Sequence, residues 1–207
     1  MPNTIINPEN NKEQDTLRQI AKEAQVNCGT INRNPADIGF WALLAEDFET
    51  HERDMLSQGF WTMFWHHFGN WRMSIPLRPI RIPFSILYRI GAKASQWFCG
   101  MDLPYTVVVG RRVKLEHFGG MILIARAIGD DVVIRQNTTF GIRDMDARDD
   151  RPTIGNNVDI SAGAFLIGGI TIGNNTRIGA NSVVMKSLPS DVVTAGVPAR
   201  IVKSLDS

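Results

Sequence analysis

Few side chains in this sequence could take a proton from an alcohol, and one stands apart by its setting. The histidines are His51, His66, His67 and His117. A neutral imidazole titrates close to working pH, which suits it to act as a general base toward a hydroxyl. His66 and His67 are flanked by Phe64, Trp65 and Phe68, a setting that suits packing. His117 lies instead in Leu115-Glu116-His117-Phe118-Gly119-Gly120, inside the repetitive half of the chain, where a corner position holds it at the surface. Spacing alone serves a solvated corner histidine as well as a catalytic one. Cys28 and Cys99 are too few and too far apart for a disulfide framework or a cysteine-rich zinc site, so a reducing cytoplasm is the expected setting.

The element that must position His117 is written as a six-residue beat. Ile154, Ile160, Leu166, Ile172, Ile178 and Val184 recur at that interval, and the same beat runs upstream through Ile128, Ile134 and Phe140 and through Val109, Leu115 and Met121. A period of six fits neither a helix nor plain alternation. It fits a coil of three short strands with one inward aliphatic each, stacked into a triangular prism. Corners of such a prism turn sharply and often need positive φ, which Asn156-Asn157, Gly168-Gly169 and Asn174-Asn175 supply. Phe140 and Ile154 are fourteen residues apart, so residues within 141–151 must leave the prism as a loop, a place where binding groups concentrate.

Upstream the chain divides again. Residues 1–36 read as a mobile polar tail with one weak helix around Glu13 to Ala24. Residues 37–100 read as an α-helical region. Phe40, Trp41, Leu44 and Phe48 fall at helical spacing behind Asp37, a residue able to cap, and a second helix follows over Met55 to Trp71. Pro76, Pro79 and Pro83 make 73–83 a linker, after which a third helix runs from Phe84 to Phe98 and stops near Gly100. Residues 101–207 form the repeat domain with its closing segment. No stretch has the length of a signal peptide core or a membrane span. A formal charge of +1 argues against a nucleic-acid partner. Trp61, Trp65, Trp71 and Trp97 mix with Arg72, Arg78, Arg81 and Arg89 as they would at the inner face of a membrane, and a helix-packing or trimer surface would use the same residues.

From Asp102 to Val202 the chain resembles the serine acetyltransferase branch of the hexapeptide-repeat acyltransferases, which are trimeric left-handed parallel β-helices using acetyl-CoA. Asp102 followed fifteen residues later by Leu115-Glu116-His117 matches the family's Asp and catalytic Leu-Asp-His, and Ala195-Gly196-Val197-Pro198-Ala199-Arg200 matches its closing motif. His51-Glu52-Arg53-Asp54 and Gln58-Gly59-Phe60 resemble positions of its helical region. The resemblance implies a mainly β fold of that left-handed kind with an N-terminal helical region, and a homotrimer with its sites between prisms. It implies that His117 accepts the hydroxyl proton while Asp102 orients the imidazole, without a metal or a covalent intermediate. It places acetyl-CoA, a co-substrate, along Gly141, Ile142, Ala162 and Ala180, with Arg177, Arg143 and Lys186 toward its phosphates.

The acceptor end departs from the pattern. The family's Arg-His-Pro after the loop is here Asp150-Arg151-Pro152, leaving Arg151 without the second histidine, and Glu116 replaces the Asp beside the base. Glu116, Asp54 and Arg151 are the acceptor-binding candidates. The chain lacks the C-terminal Ile by which serine acetyltransferases dock into cysteine synthase, so that partner is not expected. Acetyltransferases of polysaccharide assembly, colanic-acid type included, share the missing histidine and a Leu-Tyr-Arg-Ile segment, matched by Leu87 to Ile90. A sugar hydroxyl is therefore placed ahead of L-serine as acceptor, and a non-catalytic trimeric scaffold is the third reading.

Overall fold

The computed structural model describes residues 29–117, 119–143 and 150–205. The tail over 1–28 with its expected helix, and residues 144–149 of the expected loop, lie outside these. Among the described residues three α-helices come first: α1 (Phe40–Thr50), α2 (Gln58–Trp71) and α3 (Arg78–Ala94), the last continued by a π-helical turn over Ser95–Cys99. Fifteen short strands follow: β1 (Met101–Asp102), β2 (Val108–Val109), β3 (Lys114–Glu116), β4 (Met121–Leu123), β5 (Ala127–Ile128), β6 (Val133–Arg135), β7 (Thr139–Gly141), β8 (Thr153–Ile154), β9 (Asp159–Ile160), β10 (Phe165–Ile167), β11 (Thr171–Ile172), β12 (Arg177–Ile178), β13 (Val183–Val184), β14 (Val192–Ala195) and β15 (Arg200–Ser204).

The strands form three sheets in which every third strand is a neighbour: β1-β4-β7-β10-β13, β2-β5-β8-β11 and β3-β6-β9-β12-β14-β15. Pairings are parallel except between β14 and β15. This is the parallel β-helix that the six-residue beat requires. Inward side chains stack in columns: Val109, Ile128, Ile154 and Ile172 on one wall, Leu115, Ile134, Ile160 and Ile178 on the second, Leu123, Phe140, Leu166 and Val184 on the third. All are buried in one continuous core. One corner is stitched by a side-chain ladder, with Asn157 donating to Asn175 and Asn175 to Asp191, each of the three at positive φ.

The register corrects the sequence beat at one place. Leu123, not Met121, pairs with Phe140, so the step from Leu115 is eight residues rather than six. The two additional residues fall in the corner that holds His117, whose own φ is 63°. An enlarged corner lifts that segment off the prism, and His117 is exposed as a result.

Two further expectations fail for reasons local to the helices. Asp37 does not cap α1, whose N-cap is Gly39 without a side-chain bond. Asp37 instead meets Arg111 at 2.7 Å, and Arg111 also binds Glu46 of α1 at 2.6 Å, clamping the helices to the first coil. The 73–83 linker is only half present, because α3 begins at Arg78. Pro79 falls in the first turn, where its missing N–H would have had no helical partner, and Pro83 forfeits a single bond to the carbonyl four residues back. Gly100 does end the run, in the left-handed conformation expected of it. Residues 29–36 lie against α2, where the Asn34 amide donates to the His67 carbonyl and Asn34 Oδ1 sits 2.9 Å from His67 Nδ1. His66 and His67 are buried as packing residues.

Candidate active site

His117 lines a cleft of about 290 Å³ between the first coil and the connection from α1 to α2. The same cleft is lined by Glu116, His51, Glu52, Asp54, Ser57 and Lys114. Two of the acceptor candidates, Glu116 and Asp54, are thus brought to the imidazole. Asp54 arrives there through a sharp turn after α1, in which Glu52 and Arg53 both take positive φ and Asp54 Oδ1 accepts from the Leu56 amide at 2.8 Å.

Charges in this cleft are linked in series. Lys114 Nζ lies 2.8 Å from Glu52 and 3.2 Å from Glu116, and Arg135 Nε lies 3.0 Å from Glu116 while its other nitrogen binds Asp159. The hydrogen bond from Lys114 holds the Glu52 carboxyl below its ordinary range. Its counterpart from Glu52 raises the Lys114 ammonium. Exposed pairs of this kind contribute little to stability each, but they hold Glu116 in place beside His117. Lys114, Arg135 and Glu52 were not singled out from sequence. Lys114 and Arg135 are outward strand positions on neighbouring coils, with Arg135 in register opposite Glu116, a relation that appears only once the coils are stacked.

Asp102 is not brought to His117 within one chain. Its Oδ1 accepts from Gln96 Nε2 at 2.9 Å, and it lines a separate cavity of about 270 Å³ with His66, Tyr88 and Ser95. Arg151 is described and half-buried, outside the residues that line the His117 cleft.

A second cleft, about 420 Å³, gathers Arg143, Lys186 and Arg200 around Val184, Met185, Leu188 and Pro198. Arg143 is tied there by a 2.7 Å hydrogen bond to the Met185 carbonyl. Three cations over an apolar floor fit a ligand with phosphates at one end and a long neutral arm, which is the form of coenzyme A. Arg200 is the residue missed here, though it closes a motif already noted. Of the other cofactor candidates, Ala162 sits at the same corner of the prism two coils on from His117, where its carbonyl accepts from the Asn181 amide, next to Ala180. Gly141 and Ile142 end β7 (Thr139–Gly141) and begin the loop, and a Cβ at Gly141 would meet nothing within 4 Å. Arg177 stands on β12 opposite Asp159 and does not line the Arg143 cleft. Among the described residues no group of three or more His, Cys, Asp or Glu could hold a metal ion.

Residues 151–186 match the bacterial transferase hexapeptide family, described as six repeats. A serine acetyltransferase of Staphylococcus xylosus is 39% identical over 119 residues, 57% of this chain and 55% of that protein. The chain spans about half the length of the curated relatives it matches. Among solved structures, a truncated serine acetyltransferase apoenzyme is 25% identical with a TM-score of 0.65, covering 91% of this chain and 77% of that one. A serine acetyltransferase in complex with CoA is 26% identical with a TM-score of 0.62, covering 91% and 76%. These likenesses overturn the placing of a sugar hydroxyl ahead of L-serine, since the relatives and structures concerned are serine acetyltransferases. By repeat, identity and fold together, the chain is similar to the serine acetyltransferases among the hexapeptide-repeat transferases.

Proposed function

We propose that this chain transfers an acetyl group from acetyl-CoA to the side-chain hydroxyl of L-serine, with His117 as general base. The observation that carries the reading is the ring of both charge signs around an exposed imidazole, made by Glu52, Asp54 and Glu116 with Lys114. An amino acid brings an ammonium and a carboxylate together, and such a ring can meet both. The names of the relatives and the CoA-bound neighbour support the same acceptor and donor.

In this reading His117 takes the hydroxyl proton as the serine oxygen attacks the thioester carbonyl. A carbon–oxygen bond forms, the carbon–sulfur bond breaks, and the departing thiolate recovers the proton from the imidazolium. Asp102, which lies apart from the His117 of its own chain, is the proposed orienting carboxylate for the imidazole of a neighbouring protomer in the proposed trimer. Arg143, Lys186 and Arg200 are proposed for the phosphates of the donor, with Ala162 and Ala180 along the corner between the clefts. A homotrimer belongs to the proposal. Ile122 and Phe165 stand outward on one sheet at 43% exposure each, an apolar wall that a neighbouring prism would cover. A cytoplasmic setting accords with Cys99, a buried free thiol.

The test is thiol release from acetyl-CoA in the presence of L-serine, with the product identified by mass. Turnover to O-acetyl-L-serine is expected, and its absence from folded protein that still binds acetyl-CoA would sink the reading in favour of a scaffold.

The outward side of α3 supports a further proposal, peripheral contact with an anionic membrane surface. Ile82, Ile86 and Ile90 are exposed along it, followed by Trp97 and Phe98. From Met55 to Met101 the charged residues are Arg72, Arg78, Arg81, Arg89 and Lys93, with no Asp or Glu. Cations near an anionic leaflet contribute about 1 kcal/mol each, so co-flotation with phosphatidylglycerol vesicles at low salt is expected to exceed that with neutral vesicles by about tenfold or more. Equal recovery with both vesicle types would refute it. No helix among the described residues is long and apolar enough to cross a membrane.

A further inference from the structure

The solenoid has an open end, and its closure lies two residues from His117. β3 (Lys114–Glu116) is the terminal strand of its sheet. The Lys114 amide donates inward to the Val132 carbonyl, so the next amide, that of Leu115, faces away from the sheet. Leu115 is buried, and an unpaired buried N–H is costly. The acceptor that meets it is His51 Nε2, at 3.2 Å. On the other side of the ring, His51 Nδ1 lies 2.8 Å from the Asp47 carbonyl. A carbonyl only accepts, so Nδ1 carries the hydrogen and Nε2 is bare. Both contacts of the ring therefore require the neutral imidazole in one tautomer. The Leu115 carbonyl is covered by Gly59 of α2, where a Cβ would stand 2.3 Å from it.

We propose that His51 is a positioning residue for the transfer reaction: its neutral ring caps the edge amide of Leu115 and thereby fixes the strand that delivers Glu116 and His117 to the cleft. The inference rests on the serine acetyltransfer reading for its effect on rate, and on geometry alone for the cap. Protonation would place a second N–H against the Leu115 N–H, and two donors cannot share that contact. The charged groups facing the ring are Asp47 of α1 and Glu52, which favour the charged form, and Lys114 of β3, which opposes it; α2 packs Gly59 against the ring. Burial outweighs these and lowers the ring below its ordinary 6.5. The cap is thus complete at neutral pH and is lost as pH falls through the ring's own depressed value, below 6.5.

The experiment follows the Leu115 amide by heteronuclear NMR across pH 5 to 8 in wild type, His51→Gln and His51→Leu, alongside kcat and KM. In wild type the Leu115 resonance is expected to titrate with a midpoint below 6.5. In His51→Gln, whose side-chain oxygen can accept and cannot titrate, the shift disappears, most of the neutral-pH activity is kept, and the acid limb of kcat loses one proton of steepness. His51→Leu leaves the amide exposed to exchange and is expected to lower kcat about 10- to 100-fold with little change in KM for acetyl-CoA, the scale of a small displacement of catalytic groups. A Leu115 amide indifferent to pH and to both substitutions overturns the cap whether or not any acetyl transfer occurs. Wild-type kcat in folded His51→Leu overturns the positioning role. A titrating Leu115 in a protein inert toward L-serine upholds the cap and counts against the reaction instead.

Discussion

Replacing His117 by alanine is expected to lower kcat/KM for L-serine by about 10²- to 10⁴-fold, the usual cost of deleting a positioned general base. The fold should survive the change. His117 is exposed at an enlarged corner and contributes no side chain to the inward columns, so far-ultraviolet circular dichroism and the urea midpoint should match wild type. The loss should fall on kcat rather than on KM for acetyl-CoA, because Arg143, Lys186 and Arg200 gather in a different cleft. Alanine at this corner also has to adopt the φ of 63° that His117 holds, a strained value for a side chain with a Cβ. His117→Asn, which tolerates that conformation but cannot act as the base, separates the two effects and should be as inactive. Turnover within a factor of about three of wild type in either variant would remove His117 from the mechanism.

The solenoid was legible because its physics is periodic: one aliphatic per strand at a fixed interval leaves Ile154, Ile160 and Leu166 in plain view on the chain. The same reasoning placed Phe140 and Ile154 on either side of an insertion. It failed by two residues at His117, because Met121 and Leu123 are both buried aliphatic-type positions and either could continue the beat. Only pairing with Phe140 decides between them. The extra corner residues are the structural departure that exposes His117, so the proposed base sits where periodicity is least informative. Asp54 lines the cleft that holds His117. Lys114 and Arg135 were invisible for another reason: they are ordinary outward residues in sequence, and their relation to Glu116 exists across coils. His51 looked like one member of a short motif at a helix end. Its meaning depends on an unpaired amide at the end of a sheet, which no local pattern records. Prolines misled in the opposite direction, since Pro79 falls in the first turn of α3, where it costs no helical bond, and Pro83, inside the helix, costs only one.

Removing charge from the second cleft should act on the donor alone. Arg143→Gln combined with Lys186→Gln is expected to raise KM for acetyl-CoA about 10- to 100-fold with kcat nearly unchanged. Both cations lie beside an apolar floor of Val184, Met185 and Leu188, so phosphates would meet them at the rim while the neutral arm lies over the floor. Charge-assisted contacts to phosphate run to about 1.5–3 kcal/mol each when well shielded. These side chains are exposed, so a discounted figure of about 1 kcal/mol each is appropriate, which for two contacts is a factor of roughly thirty. Exposure also predicts that the wild-type KM rises with salt and that the double variant responds less. Arg177→Gln is the informative control. Arg177 stands on β12 (Arg177–Ile178), opposite Asp159 and outside this cleft, so its loss should move KM by less than about twofold if phosphates bind where Arg143 and Lys186 converge. The converse pattern, a large effect at Arg177 with none in the double variant, would relocate the donor to the sheet face that carries Glu116 and Asp159.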